Sequence, residues 1–251
     1  MKKIFFAFFI LLMLTGSLFA WTKEEVSQFQ EANHLYREGK HAQAIPIYEK
    51  LSELHPDAAV FLYNLGNSYY RTRALGKAIR AYERARLFDP RNPDIKSNLN
   101  YVRSLLEYRL DDKRNWYIRA GEHVLELFAS NEIYFGLALS YFLFIASCVF
   151  GIFIRRGMSW GWKRKTFLFI FLIFVLLALA KHVEKDVIRD AIVMTNDAEV
   201  RYGPSDSDQV AFRLGEGLKV YVVDEREDWS RVLLVNGETG WMKNSQIGLI
   251  K

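Results

Sequence analysis

The sequence predicts a multidomain membrane protein in which an all-α helical repeat, two transmembrane helices and a small all-β barrel follow one another. Three observations predict it. A 34-residue period runs through the first hundred residues, two uncharged apolar blocks follow residue 132, and short β-rich runs separated by turn signals follow residue 189.

At 251 residues the chain has room for two or three small domains, and its net charge of +5 is an average over unlike parts. Residues 59–109 carry 10 basic and 4 acidic side chains, whereas residues 181–251 carry 10 and 13. No cluster of Lys and Arg is interleaved with exposed aromatics as in a nucleic-acid face, so nucleic acid is not an expected partner. The single cysteine, Cys148, lies inside an apolar block, which leaves no disulfide and no CxxC metal site within the chain; no cofactor is expected.

Residues 1–20 read as a secretory signal peptide. Lys2 and Lys3 precede an apolar stretch at 4–14, and small residues lead to a cut after Ala20. Leu18 departs from the small residue expected three positions before such a cut, so an uncleaved anchor stands as the alternative. Either one exports the helical module behind it.

The helical module is expected over 21–110, with repeats at 25–58 and 59–92. Ala44, Ile45, Tyr48 and Pro56 of the first recur 34 positions later as Ala78, Ile79, Tyr82 and Pro90. The second also carries Leu65, Gly66, Tyr69 and Ala85. Small residues let two antiparallel helices approach, tyrosines fill the space between them, and the prolines end the second helix of each pair. This pattern resembles the tetratricopeptide repeat, most closely in the second copy. Ile95, Leu99, Val102 and Leu106 share one face of a capping helix expected over 93–109.

The resemblance implies a concave groove that holds an extended peptide or a partner's helix. Tyr63, Asn67, Tyr70 and Arg71 fall on the concave side by helix spacing. Asn33 and Asn64 fall where some repeats of this kind place asparagines that clamp a C-terminal carboxylate. The basic positions of that clamp are here Phe29, Asp94 and Asn98, so Asn33 and Asn64 read as ordinary groove-lining polar residues. The basic excess of the second repeat suits an acidic partner segment, and a solvated basic face accounts for it equally well.

Residues 111–132 mix charges with Trp116, Tyr117, Ile118, Val124, Leu125, Leu127 and Phe128. They read as an amphipathic helix that either lies at a bilayer surface or packs on the repeats. Residues 133–154 then run without a charge for about 33 Å at 1.5 Å per residue, enough to cross the hydrocarbon core. A second span is expected over 166–183, flanked by Lys165 and Lys181. The loop at 155–165 contains Arg155, Arg156, Lys163, Arg164 and Lys165 with no acid, and Trp160 and Trp162 suit an interfacial belt. The positive-inside rule makes this loop cytoplasmic. Both soluble modules are then extracytoplasmic, on a multi-pass protein of a bacterial inner membrane, and the lipid bilayer is itself a partner.

Residues 188–251 carry the β-rich runs, with Asn236-Gly237 suited to a tight hairpin turn. Val200-Arg201-Tyr202-Gly203-Pro204-Ser205, Leu214-Gly215-Glu216-Gly217, Asp228-Trp229-Ser230-Arg231-Val232 and Gly240-Trp241-Met242 together resemble a bacterial SH3 domain. The expected barrel core holds Val200, Phe212, Leu214, Val220, Val222, Val232, Leu234 and Trp241. Such domains commonly recognise peptidoglycan stem peptides or extended peptides. Tyr202, Trp229 and Trp241 are the candidate groove residues, although the same positions also satisfy barrel-core needs.

No catalytic constellation stands out. The five histidines form no HExxH or HxH pattern, and there is no GxSxG motif or phosphate-cradling glycine loop. The expected role is binding rather than catalysis. The whole order resembles the BatE-type proteins of bacterial aerotolerance operons. That resemblance implies a scaffold beside inner-membrane proteins with von Willebrand factor A (VWA) domains and a MoxR-type ATPase, linked to oxidative or envelope stress. The alternative expectation is a peptidoglycan-sensing or wall-anchoring protein acting through its SH3-like domain.

Overall fold

The computed structural model describes residues 21–108, 110–153, 159–186 and 189–250. The expected signal peptide lies outside the described residues, as do Arg155 and Arg156 of the basic loop.

Five helices form the first module: α1 (Lys23–Arg37), α2 (His41–Leu54), α3 (Ala59–Arg71), α4 (Leu75–Phe88) and α5 (Pro93–Ser104). Local chemistry sets their ends. Thr22 and Glu25 close a capping box at the start of α1, each side chain accepting the other's backbone N–H. Asn92 accepts from the N–H groups of Asp94 and Ile95 at the start of α5, where Pro93 occupies the first turn without needing a donor. Pro56 and Pro90 each lie two residues past the end of α2 and α4. Ala44, Tyr48 and Leu51 on α2, and Ala78, Tyr82 and Ala85 on α4, are buried at corresponding repeat positions. A Cβ on Gly66 would stand 2.7 Å from the Tyr82 ring, which is why α3 and α4 meet there. The turns α1–α2 and α3–α4 each need a left-handed residue, supplied by Gly39 (φ 79°) and Arg73 (φ 66°), again 34 positions apart.

The capping helix expected to reach about residue 109 ends at Ser104. Leu105 and Leu106 leave the helix, and Leu106 packs beside Ile79 and Gly217 instead. That packing draws the chain toward the C-terminal module.

Next come α6 (Trp116–Glu126), α7 (Ser130–Phe153) and α8 (Ser159–Asp186). The last two contain segments long and apolar enough to cross a membrane, Ser130–Gly151 and Gly161–Val183. They pair as a hairpin in which Phe171 lies 5.7 Å from Tyr141 and 6.3 Å from Phe144, centroid to centroid. Both are largely exposed in the chain.

Seven strands complete the chain: β1 (Arg189–Val193), β2 (Ala198–Arg201), β3 (Val210–Leu214), β4 (Lys219–Arg226), β5 (Trp229–Leu233), β6 (Thr239–Lys243) and β7 (Ile247–Leu249). They form one antiparallel sheet in the order β3-β2-β6-β5-β4-β1-β7, consistent with an SH3-like barrel. Gly237 at φ 91° makes the turn between β5 and β6. Val200, Leu214, Val220, Val222, Val232 and Leu234 form the apolar core with Met242, and Phe212 packs at its edge. Trp241 is buried but sits one residue from Met242 on β6. Strand alternation therefore turns it to the opposite face, where Arg226 covers it at 5.1 Å.

The two soluble modules are packed together. Ile192 and Ile250 are buried in the same apolar cluster as Ala78 and Ile79 of α4, with Met194 at its edge. Gly76 donates its backbone N–H to Glu216 at 2.7 Å, and Arg80 Nε donates to the Leu249 carbonyl at 2.6 Å. Beneath this contact Glu83 is 1% exposed and pairs with Arg86 and Arg103. Burial pushes its carboxyl up, but the two guanidiniums, helped by Lys219, outweigh that and hold it down at about 2.

Candidate functional site

The first candidate site is a concavity of about 260 Å³ between α1, α3 and α5. Helix periodicity places Tyr63, Asn67, Tyr70 and Arg71 on one side of α3, and all four line it. Tyr36 on α1, and Asn98 and Tyr101 on α5, complete the wall. Tyr36 and Tyr101 are not among the residues expected from the sequence. The signal was available in the period, since Tyr36 is the repeat counterpart of Tyr70, and Tyr101 lies 34 positions after Asn67.

A hydrogen-bond chain fixes the floor. The Tyr82 hydroxyl donates to Asn67 Oδ1 at 2.7 Å, and Asn98 Nδ2 donates to the same oxygen at 3.0 Å and to the Tyr63 hydroxyl at 3.1 Å. Burial pushes the Tyr82 hydroxyl well above its ordinary value, so it stays a donor. Asn67 is thus a structural residue of the groove wall before it is a ligand contact. At the rim Tyr70 and Tyr101 meet edge to face at 5.8 Å. Arg71 sits 5.9 Å above the Tyr70 ring and donates from Nε to the Tyr36 hydroxyl at 3.4 Å. That bond leaves the paired Nη atoms of Arg71 for a carboxylate.

Asn33 and Asn64 stand outside this concavity. Asn33 Oδ1 accepts from the Tyr48 hydroxyl at 2.7 Å, the same bond as Asn67–Tyr82 one repeat earlier. Burial raises Tyr48 to about 12. The Asn64 amide donates to the Val60 carbonyl of its own helix at 2.8 Å. The two asparagines expected to line the groove are therefore each engaged within the fold and do not line this concavity.

The second candidate site is on the β module. Tyr202 is 72% exposed, just past the end of β2. Trp229 and Trp241 are nearly covered, each beneath a cation: Lys243 at 5.5 Å from the first and Arg226 at 5.1 Å from the second. The pairings Trp229–Lys243 and Arg231–Trp241 place both indoles on one face of the sheet. Sequence reasoning named the aromatics and missed the cations above them.

The arrangement suits recognition: rings to pack against, hydroxyls and amides to bond, and a guanidinium for an anion. Among the described residues no group of His, Cys, Asp or Glu is placed to hold a metal ion. Residues 29–93 match the tetratricopeptide repeat family, and residues 195–248 match the bacterial SH3 domain. Both domains are present. Tetratricopeptide repeats mediate protein–protein contacts and bacterial SH3 domains bind cell wall, so together they support a scaffold or binding role. No curated protein matches the chain.

Proposed function

We propose that this protein is a membrane-anchored extracytoplasmic scaffold that holds partner proteins in its tetratricopeptide groove. The observation that carries the reading is the open, tyrosine-lined concavity ending at Arg71, which suits an extended segment with an acidic group. The proposed layout is a signal peptide at 1–20, the repeat domain at 21–110, the juxtamembrane segment at 111–132 and spans at 133–154 and 166–183. A cytoplasmic loop at 155–165 joins the spans, and the SH3-like domain occupies 188–251. Both soluble modules then lie on the outer side of a bacterial inner membrane, and the chain acts by binding rather than catalysis. The order of domains, resembling BatE-type proteins, suggests VWA-domain membrane proteins as partners in a MoxR-associated envelope-stress complex.

A second reading has its own observation. The exposed Tyr202 and, elsewhere on the sheet, two cation-covered indoles suit a peptidoglycan-sensing or wall-anchoring role for the SH3 domain.

Deleting the repeats is a poor test, because Ile192 and Ile250 would lose the surface that buries them. The better test compares crosslinked pull-downs of the full chain and of Tyr70→Ala/Arg71→Glu, two rim changes that leave the Asn67–Tyr82 bond alone. Partners lost with the rim support the scaffold reading. An unchanged partner set removes it, and binding of the full chain to purified peptidoglycan, abolished by Tyr202→Ala, would then carry the second reading.

A further inference from the structure

We infer that α6 lies in the plane of the membrane surface, with one face embedded among the phospholipids of the leaflet that faces the soluble modules. The inference rests on the reading that α7 and α8 cross that bilayer.

At 100° per residue α6 and the turn after it divide into two faces. Glu122, Leu125 and Glu126 fall within about 100° of one another, and they are the half-buried residues of the segment. This face is held by protein. Glu122 accepts from Arg114, which also donates to the Tyr221 hydroxyl of the SH3 domain at 2.8 Å, and Glu126 pairs with Arg86 of α4 at 2.7 Å. Trp116, Tyr117, Val124, Leu127 and Phe128 fall within about 120° on the other side. All five are exposed, Trp116 at 74%. A continuous apolar stripe of this width on a docked helix calls for an apolar surface to cover it.

The surroundings say which surface. Leu127 to Ala129 interrupt the helix, so α6 is not an extension of α7, and the first span begins directly after the break at Ser130. Lys181, two residues from the end of the second span, donates from Nζ to the Leu125 carbonyl at 3.3 Å. The C-terminal end of α6 is thereby fixed at the level where both spans leave the hydrocarbon. Arg119 borders the stripe on its polar side, where this placement would set it level with the phosphates, as in interfacial helices. A phospholipid surface is the occupant that this position supplies.

Held in this way, α6 sets the distance and tilt of both soluble modules above the bilayer. Its inner face bonds to each of them and its outer face takes the lipid. The choice left open by the sequence, between lying on the membrane and packing on the repeats, is resolved by the helix doing both with different faces.

The test uses the full chain with Cys148→Ser, reconstituted in phosphatidylethanolamine–phosphatidylglycerol vesicles, with single cysteines carrying a nitroxide label. Trp116→Cys, Val124→Cys and Phe128→Cys report the stripe, Arg119→Cys and His123→Cys the polar side, and Val149→Cys and Leu172→Cys the spans. None of the three stripe positions is buried, Phe128 being the least exposed at 40%, so the substitutions spare the buried core. Relaxation by oxygen, which partitions into lipid, should exceed relaxation by a water-soluble nickel chelate at the stripe and at the spans, and the order should reverse at 119 and 123. Stripe labels as open to nickel as those at 119 and 123, or shielded from both reagents by a protein partner, would overturn the inference while the span labels still report lipid. Span labels open to nickel would remove the membrane reading and this inference together.

Discussion

Glu216 accepts the backbone N–H of Gly76 at 2.7 Å, joining residues 140 positions apart across the two soluble modules. A Cβ on Gly76 would stand 2.7 Å from the Val193 carbonyl oxygen and 2.8 Å from Glu216 Cγ, so no larger residue fits without moving backbone. The modules therefore behave as one packed unit despite the two long apolar helices that separate them in the chain.

Gly76→Ala should accordingly lower the stability of that unit by about 1–3 kcal/mol, the usual range for overpacking a tight contact. Gly121→Ala is the control. Its Cβ meets nothing within 4 Å, and removing a glycine from a helix should raise stability by about 0.5–1 kcal/mol. Thermal unfolding of both variants in detergent checks this. Equal melting temperatures for the two would mean that the modules do not bear on each other.

Glu83 makes a pH-dependent contribution. Its folded pKa of about 2 lies below the usual 4.5, so its stabilisation is complete above about pH 4.5 and is lost as pH falls toward 2. Glu83→Gln at neutral pH leaves Arg86 and Arg103 facing a neutral amide and should cost about 3–5 kcal/mol. The gap between wild type and variant should then narrow as pH drops from 5 to 3. A gap that stays constant over that range would show that the carboxylate charge is not what holds Glu83 in place.

The architecture was legible because its signals are local. The recurrence of Ala44–Tyr48 as Ala78–Tyr82, the uncharged run after residue 132 and the turn at Asn236-Gly237 are each readable within a few dozen residues. What the sequence hid depends on distant partners. Nothing in the local pattern marks Glu83 as buried; its pairing with Arg103, twenty residues on, comes from the fold. Capping helix α5 stops at Ser104 because Leu106 turns toward Gly217, a contact that helix periodicity does not encode. Trp241 satisfies an apolar-position pattern, yet the register of β6 turns it away from the core. In the groove, four of the six named residues meet. The other two, Asn33 and Asn64, hydrogen-bond within the fold elsewhere.

Arg73 occupies a turn that the first repeat fills with Gly39. Its φ of 66° costs a side-chain-bearing residue about 1–2 kcal/mol, partly offset because glycine loses more chain entropy on folding. Arg73→Gly should therefore stabilise by about 0.5 kcal/mol. Gly39→Ala, with nothing within 4 Å of its Cβ, should destabilise by about 1 kcal/mol through backbone strain alone. Chemical denaturation of both variants tests the pair, and opposite signs are the expected result.

The groove separates residues that hold it from residues that present it. Asn67→Ala strands the buried Tyr82 hydroxyl, which loses its acceptor, and frees Asn98 from one of its bonds. An unsatisfied buried hydroxyl costs about 1–3 kcal/mol, so this variant should melt early. Arg71→Glu removes only a weak 3.4 Å bond to Tyr36 and a rim stacking contact, and its stability should stay within about 0.5 kcal/mol of wild type. Partner capture should fall with both variants but for different reasons. With Asn67→Ala it should recover on cooling, as the fold does; with Arg71→Glu it should stay low at every temperature. If capture by Arg71→Glu matched wild type while Asn67→Ala lost it only at its melting point, the groove would be a packing feature and not a binding surface.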